Sequence, residues 1–170
     1  MALHMAVEEK DTAKVTDLFE GGGVHYNFSV TPNNILILHR CARLGDVKML
    51  QLLLGEVLLE AQPSFLDTVS TYGFTALQWC ALYDHAAFAE DLIKYGCDTT
   101  QTNYRHKTAW DIADALQSNA VLKLFDRLAA SHPQLAQEQQ RRKHRPEVPD
   151  TFRDDIQLDF TRFVLWSVML

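Results

Sequence analysis

Apolar residues in the first 130 positions fall into short clusters at i, i+3, i+4 spacing, and the clusters come in pairs. Each pair opens on a tight run: Leu3-His4-Met5-Ala6-Val7, Leu38-His39-Arg40-Cys41-Ala42, Leu77-Gln78-Trp79-Cys80-Ala81 and Trp110-Asp111-Ile112-Ala113-Asp114. Successive runs start 35, 39 and 33 residues apart. The fourth position of every run is small (Ala6, Cys41, Cys80, Ala113), as close helix packing requires. About nine residues on, each run is followed by a second amphipathic cluster: Val15, Leu18 and Phe19; Leu50, Leu53 and Leu54; Ala89, Leu92 and Ile93; Leu122 and Phe125. The spacing therefore predicts four pairs of short helices, and a fixed period of this kind predicts stacked units in place of one globular core.

Punctuation agrees. Gly45 stands where the first helix of the second unit should end, and Gly22 and Gly96 close the second helices of units 1 and 3. Thr75 and Thr108 are placed to N-cap the first helices of units 3 and 4. The units run over about 1–30, 31–69, 70–102 and 103–130, followed by a polar basic linker over 131–151 and an apolar segment over 152–170. The 39-residue spacing implies an insertion of about six residues between Glu60 and Ser70. That insertion is read evenly as a binding loop or as a tolerated surface loop.

This pattern resembles the ankyrin repeat, a turn plus two antiparallel helices with a Gly-x-Thr-Pro-Leu-His-x-Ala-Ala motif. Gly73, Thr75, Leu77, Cys80 and Ala81 fall on that motif, with Gly96-Cys97-Asp98 on the closing Gly-Ala-Asp. Leu38, His39, Ala42, Gly45 and Asp46 match in unit 2, Thr108, Ile112 and Ala113 in unit 4, and Leu3, His4 and Ala6 in unit 1. The resemblance implies an all-α helix-turn-helix solenoid with short β-turn fingers and a C-terminal tail.

There are departures from the motif. Its Pro is absent throughout, its His becomes Gln78 and Asp111, and its turn Gly becomes Asn34 and His106 where φ > 0 is favoured. The hydrogen bonds between successive turns are expected to be rearranged at Gln78 and Asp111. Asp114 in place of the second Ala marks unit 4 as the solvated end of the array. Unit 1 lacks a turn before its helix, so the chain either starts at a cap or is cut from a longer protein.

Charge narrows the class of partner. The 170 residues carry a net charge of −6, all of it within residues 1–130, with 16 acids against 10 bases. An acidic array does not suit a nucleic-acid backbone, so a protein partner is expected. No stretch reaches the roughly 20 apolar residues that span a bilayer. The N-terminus carries acids where a signal peptide has bases, so a chain kept in the cytosol or nucleus is expected. Cys41 and Cys80 share a slot in successive units, and equivalent helices ~8–10 Å apart are too distant for a disulfide. With Cys97 they read as small buried hydrophobes.

On the resemblance, the partner face comprises the turn tips and the exposed positions of the first helices. These are Thr71, Tyr72 and Phe74 at the third turn, Tyr104, Arg105 and Lys107 at the fourth, and Arg43, Leu44, Leu82 and Tyr83 on the helices. Glu8, Glu9, Ala115 and Leu116 occupy the matching helix positions. Aromatic and guanidinium groups on adjoining turns have the composition of a binding hot spot. Phe74 is equally well read as packing on its neighbouring turn, and Trp79 and Trp110 read as core.

The residues give no catalytic, cofactor or metal expectation. There is no phosphate loop, nucleophile elbow or Cys/His pairing, and the seven histidines have no ligand spacing. His4 and His39 are explained by the motif. The adjacent Asp154-Asp155 reads as solvated charge.

Pro146 and Pro149 break helices in the tail. Arg141-Arg142-Lys143-His144-Arg145 reads first as a solvated helix end, then as a localisation patch or a contact folding back on the acidic array. The apolar residues 152–170 need burial, and docking on the array is the first expectation, ahead of entry into another chain or continuation into a longer protein. The functional expectation is a non-catalytic adaptor or scaffold module. The alternatives are the regulatory or targeting region of a larger enzyme or membrane protein, and a pathogen effector mimicking host scaffolds.

Overall fold

A computed structural model of the chain describes residues 2–21, 37–57, 65–70 and 73–144. The described residues form helices α1 (Ala2–Glu8), α2 (Thr12–Glu20), α3 (Ile37–Leu44), α4 (Val47–Val57), α5 (Ala76–Tyr83), α6 (Ala86–Lys94), α7 (Ala109–Leu116), α8 (Asn119–Leu128) and α9 (Pro133–Lys143), with no strand among them. The first eight pair as helical hairpins. Inner helices α1, α3, α5 and α7 stack on one another, and outer helices α2, α4, α6 and α8 form a second layer. The core lies between the layers, with Ala6, Cys41, Cys80 and Ala113 fully buried in the small-residue slot.

The period also governs the backbone. Lys10, Gly45, Asp84 and Gln117, each just past an inner helix, adopt left-handed φ of 57°, 64°, 58° and 57°. The next slot varies in its chemistry. Asp11 and Asp46 cap their own outer helices by accepting from Lys14 N (3.0 Å) and Met49 N (3.2 Å). His85 and Ser118 instead reach back a unit, to Arg43 O (3.0 Å) and Ala81 O (2.6 Å). Asp84 then supplies the missing cap of α8, accepting from Val121 N at 3.0 Å and Ala120 N at 3.3 Å.

The described residues of the third and fourth fingers share their backbone bonding. Ser70 N donates to Phe74 O and Gly73 N to Ser70 O; Asn103 N donates to Lys107 O and His106 N to Asn103 O. His106 takes φ 57° where Gly73 has 75°. Thr75 and Thr108 each close a capping box, with Gln78 and Asp111 as third-position partners. Of the expected insertion, residues 65–70 are the ordinary base of a finger, since Phe65 and Leu66 are buried and Asp67 Oδ1 accepts from Asp98 N at 2.7 Å.

Ties between units run through the motif's His slot. Buried His39 holds Thr68 O at 2.9 Å and also bonds the Phe74 backbone. Gln78 Nε2 donates to Gln101 O (2.8 Å) and Lys107 O (3.3 Å), each 33 residues beyond the corresponding partner of His39. The expected rearrangement is thus absent at Gln78, because an amide donates as an imidazole does. It is present at Asp111, which has only acceptors.

One segment differs from expectation. Residues 133–143, expected within a polar linker, form α9 packed on α8. Pro133 starts it at the position where a missing N–H costs nothing. Leu135 is fully buried, and Arg141 and Arg142 pair with acids of α7. The basic run is therefore a contact with the array at these two residues, while Lys143 and His144 are exposed. The segment 152–170 and its docking lie outside the described residues.

Candidate functional site

The inner helices present a mixed ionic and aromatic face. At its N-terminal end the Glu8 carboxylate lies between Arg40 and Arg43, with Arg43 Nη2 at 2.5 Å. Burial alone would raise the Glu8 carboxyl, but the two guanidinium groups outweigh it and hold the group below its ordinary value. Further along, Tyr83 stacks on Trp79 (5.9 Å between centroids, 5° between planes) and on His85 (6.0 Å, 8°). Phe74 meets Trp79 in a tilted contact at 6.3 Å and 59°. Burial raises the Tyr83 hydroxyl despite the opposing Arg43 charge, and the hydroxyl oxygen accepts from that guanidinium.

Of the expected helix positions, Arg43, Leu44, Leu82 and Tyr83 are all half-buried on the inner helices. Phe74 is half-buried against Trp79, so it takes part in packing and still has accessible surface. Trp79 itself is buried, as is Trp110, which meets Phe125 at 5.3 Å. His85 is the member of this face that sequence reasoning missed. Its slot holds Asp11, Asp46 and Ser118 in the other units, so no pattern points to it. The one signal is Gly45, where a Cβ would stand 2.6–2.8 Å from the His85 ring.

The fourth finger projects differently. Asn103 Oδ1 accepts from Arg105 N (2.9 Å) and Lys107 N (3.1 Å), fixing the loop from within. Tyr104 is 69% exposed, the most exposed large hydrophobic among the described residues. Its ring nevertheless rests on the preceding finger, for a Cβ on Gly73 would lie 2.7 Å from Tyr104 Cδ1 and 2.8 Å from its backbone N. Gly73 thus combines a left-handed φ with clearance for that ring. Arg105 is exposed and Lys107 half-buried. Thr71 and Tyr72 lie outside the described residues.

Nothing in this arrangement assembles reactive chemistry among the described residues. Burial pushes the Cys41, Cys80 and Cys97 thiols well above their ordinary value, which disfavours the nucleophilic thiolate. No group of three His, Cys, Asp or Glu among the described residues is placed to hold a metal ion. No described helix is long and apolar enough to cross a membrane.

A family model described as ankyrin repeats in three copies matches residues 3–103, more than half of the chain. No curated protein matches it. The matched residues take in α1 to α6, and α7–α8 continue the same stacking beyond them.

Proposed function

The chain belongs to the ankyrin-repeat family, and on that premise we propose that it is a non-catalytic adaptor or scaffold that grips a protein partner through its third and fourth fingers and inner-helix face. Ankyrin repeats are generally protein–protein interaction modules. The observation that carries the siting is Tyr104, exposed at a finger tip yet braced on Gly73. A braced aromatic ring loses little conformational freedom on binding, which is what makes such residues efficient anchors. Arg105 and Lys107 extend the contact on the same finger. Arg43, Leu44, Phe74, Leu82 and Tyr83 supply an aromatic and aliphatic floor with one cation, and Thr71 and Tyr72 are included in the proposed contact from the sequence pattern alone.

The test is affinity capture with the intact chain beside a Tyr72→Ala, Tyr104→Ala, Arg105→Ala variant. Proteins held by the intact chain should be lost from the variant, or bind it at least ~10-fold more weakly, as loss of a hot spot implies. Stability should move by no more than about 1 kcal/mol, as for surface substitutions. Undiminished capture, or unfolding of the variant, would overturn the site.

A further inference from the structure

The C-terminal end of the array carries a second recognition set, separate from the fingers. Asp111, whose side chain is 2% exposed, stands in the slot where His39 and Gln78 donate to the next unit. A carboxylate cannot hold the carbonyls of a following finger. What reaches it instead is a pair of guanidinium groups from α9. Arg141 Nη2 lies 3.3 and 3.2 Å from the two Asp111 oxygens and 2.5 Å from Glu138 Oε1, while its Nε lies 2.8 Å from Glu138 Oε2. Arg142 Nη2 is 2.7 Å from Asp114 Oδ2 and its Nη1 3.5 Å from Asp111 Oδ1. The Arg142 guanidinium carbon stands 5.7 Å from the centre of the Trp110 ring.

An indole face with two carboxylates around one planar cation is a complete recognition set for arginine. The ring attracts the cation, the carboxylates accept its fork of donors, and a lysine ammonium fits neither the plane nor the fork. The occupant is held in an unusual way. Of the eleven residues of α9 only Leu135 is a buried hydrophobic, and the other buried residue is Glu138, which accepts from Thr108 Oγ1 at 3.3 Å. By contrast, α5 buries six residues and α7 five. Helix α9 is thus seated by one leucine, by side-chain hydrogen bonds at Gln134, Glu138 and Gln139, and by ion pairs, which fix geometry but roughly break even in free energy against the desolvation they require. Such a seat is specific and shallow.

We propose that Trp110, Asp111 and Asp114 form an arginine-binding site on which α9 sits as an internal ligand. The outside occupant that fits is a partner helix carrying two adjacent arginines one to two turns after an apolar residue, as Leu135, Arg141 and Arg142 are arranged. Such a helix exchanges with α9, so this end of the array opens only to that chemistry.

The test uses the full chain and a fluorescent synthetic peptide with the sequence of residues 131–144. Wild type, with its seat filled, should bind the peptide weakly. Arg141→Ala with Arg142→Ala should bind it at least ~10-fold more tightly, the gain expected from removing an internal competitor. Adding Asp111→Asn and Asp114→Ala should abolish that gain. Hydrogen exchange on the same samples should show α9 amides losing protection while those of α5 keep theirs. Arg142→Lys, a milder change, should give a gain of about threefold and serves if the double variant does not fold. Equal peptide binding by wild type and the unlocked variants would overturn the proposal. So would a gain that survives loss of both aspartates, or α9 amides that stay as protected as α5 once the arginines are gone.

Discussion

The junction below α5 and the junction below α7 are built on the same slot with opposite polarity. At Gln78 an amide nitrogen gives two hydrogen bonds to the carbonyls of Gln101 and Lys107, while the amide oxygen takes the Thr75 N–H of its own capping box. At Asp111 the box is kept, with Thr108 N donating to Oδ2, but the outward side can only accept. One unit is therefore continued by another finger and the other is closed by a helix of arginines. The change from donor to acceptor at this buried position goes with the change in the element packed beyond it.

The sharpest way to break this comparison is Gln78→Glu, which keeps the shape and the cap and replaces the donating nitrogen by oxygen. Gln78 is fully buried, so a carboxylate there faces two carbonyl oxygens with no donor between them. The expected loss at pH 8 is about 3 kcal/mol or more, the scale of an unpaired buried charge. Burial raises the folded-state pKa of the new acid above its unfolded value near 4.3. The loss should therefore be small below pH 4.3, where both states are protonated, and grow as pH rises, since the folded state holds the proton longer. Urea unfolding of variant and wild type across this range reads it directly. A pH-independent loss would mean that the carbonyl contacts do not set the energetics of the slot.

His39 tests the same slot one unit earlier, with the opposite sign. Burial depresses its imidazole to about 4, against the opposing effect of the Thr68 and Phe74 backbone bonds. With the folded value lowered, the folded state resists the proton that the unfolded chain accepts. Stability is then undisturbed above about pH 6.5 and falls as pH drops toward 4. At pH 4.5 the loss attributable to His39 is on the order of 2 kcal/mol. His39→Gln supplies the amide that serves at Gln78 and cannot titrate, so the variant should lack this component of acid sensitivity. Unfolding free energies at pH 7.5 and 4.5 for both proteins provide the check. Parallel pH profiles would show that His39 does not drive the acid loss.

The parts of the molecule that were legible in sequence are those built by apolar spacing and by backbone caps. The pairs α1–α2 to α7–α8 follow from clusters at i, i+3, i+4, and Thr75 and Thr108 cap because a hydroxyl there meets the third N–H of the helix. Helix α9 was not legible as a packed element, because its sequence offers one core residue and its seat is made of charges about 30 positions upstream. Two signals were present: Pro133 at a helix start, and an acid in a donor slot with arginines downstream. Tyr104 was legible as an exposed tip, since tyrosine on a polar turn has little to bury it. Its support on Gly73 and the stack of His85 on Tyr83 were not, for both depend on the clearance left by a missing Cβ on another unit.

The smallest effect sharpens the comparison from outside. Arg127 Nη2 and Glu90 Oε2 join α8 to α6 at 2.8 Å, close to the Arg141 Nε–Glu138 Oε2 distance. Geometry alone would rank the two pairs together. Their surroundings separate them: the Arg127 side chain is 63% exposed and Glu90 29%, whereas Glu138 is 8% and Asp111 2%. Water screens the outer pair and solvates either partner when the other is removed, while the inner carboxylates have no such recourse. Arg127→Ala should therefore cost about 0.5 kcal/mol or less at low salt, and that difference should vanish near 1 M salt, where the screening length is about 3 Å. Thermal unfolding at both salt concentrations measures it. A cost above about 1.5 kcal/mol, or one that persists in salt, would mean that contact distance outweighs burial here, and the distinction between the α9 seat and an ordinary surface bridge would fail with it.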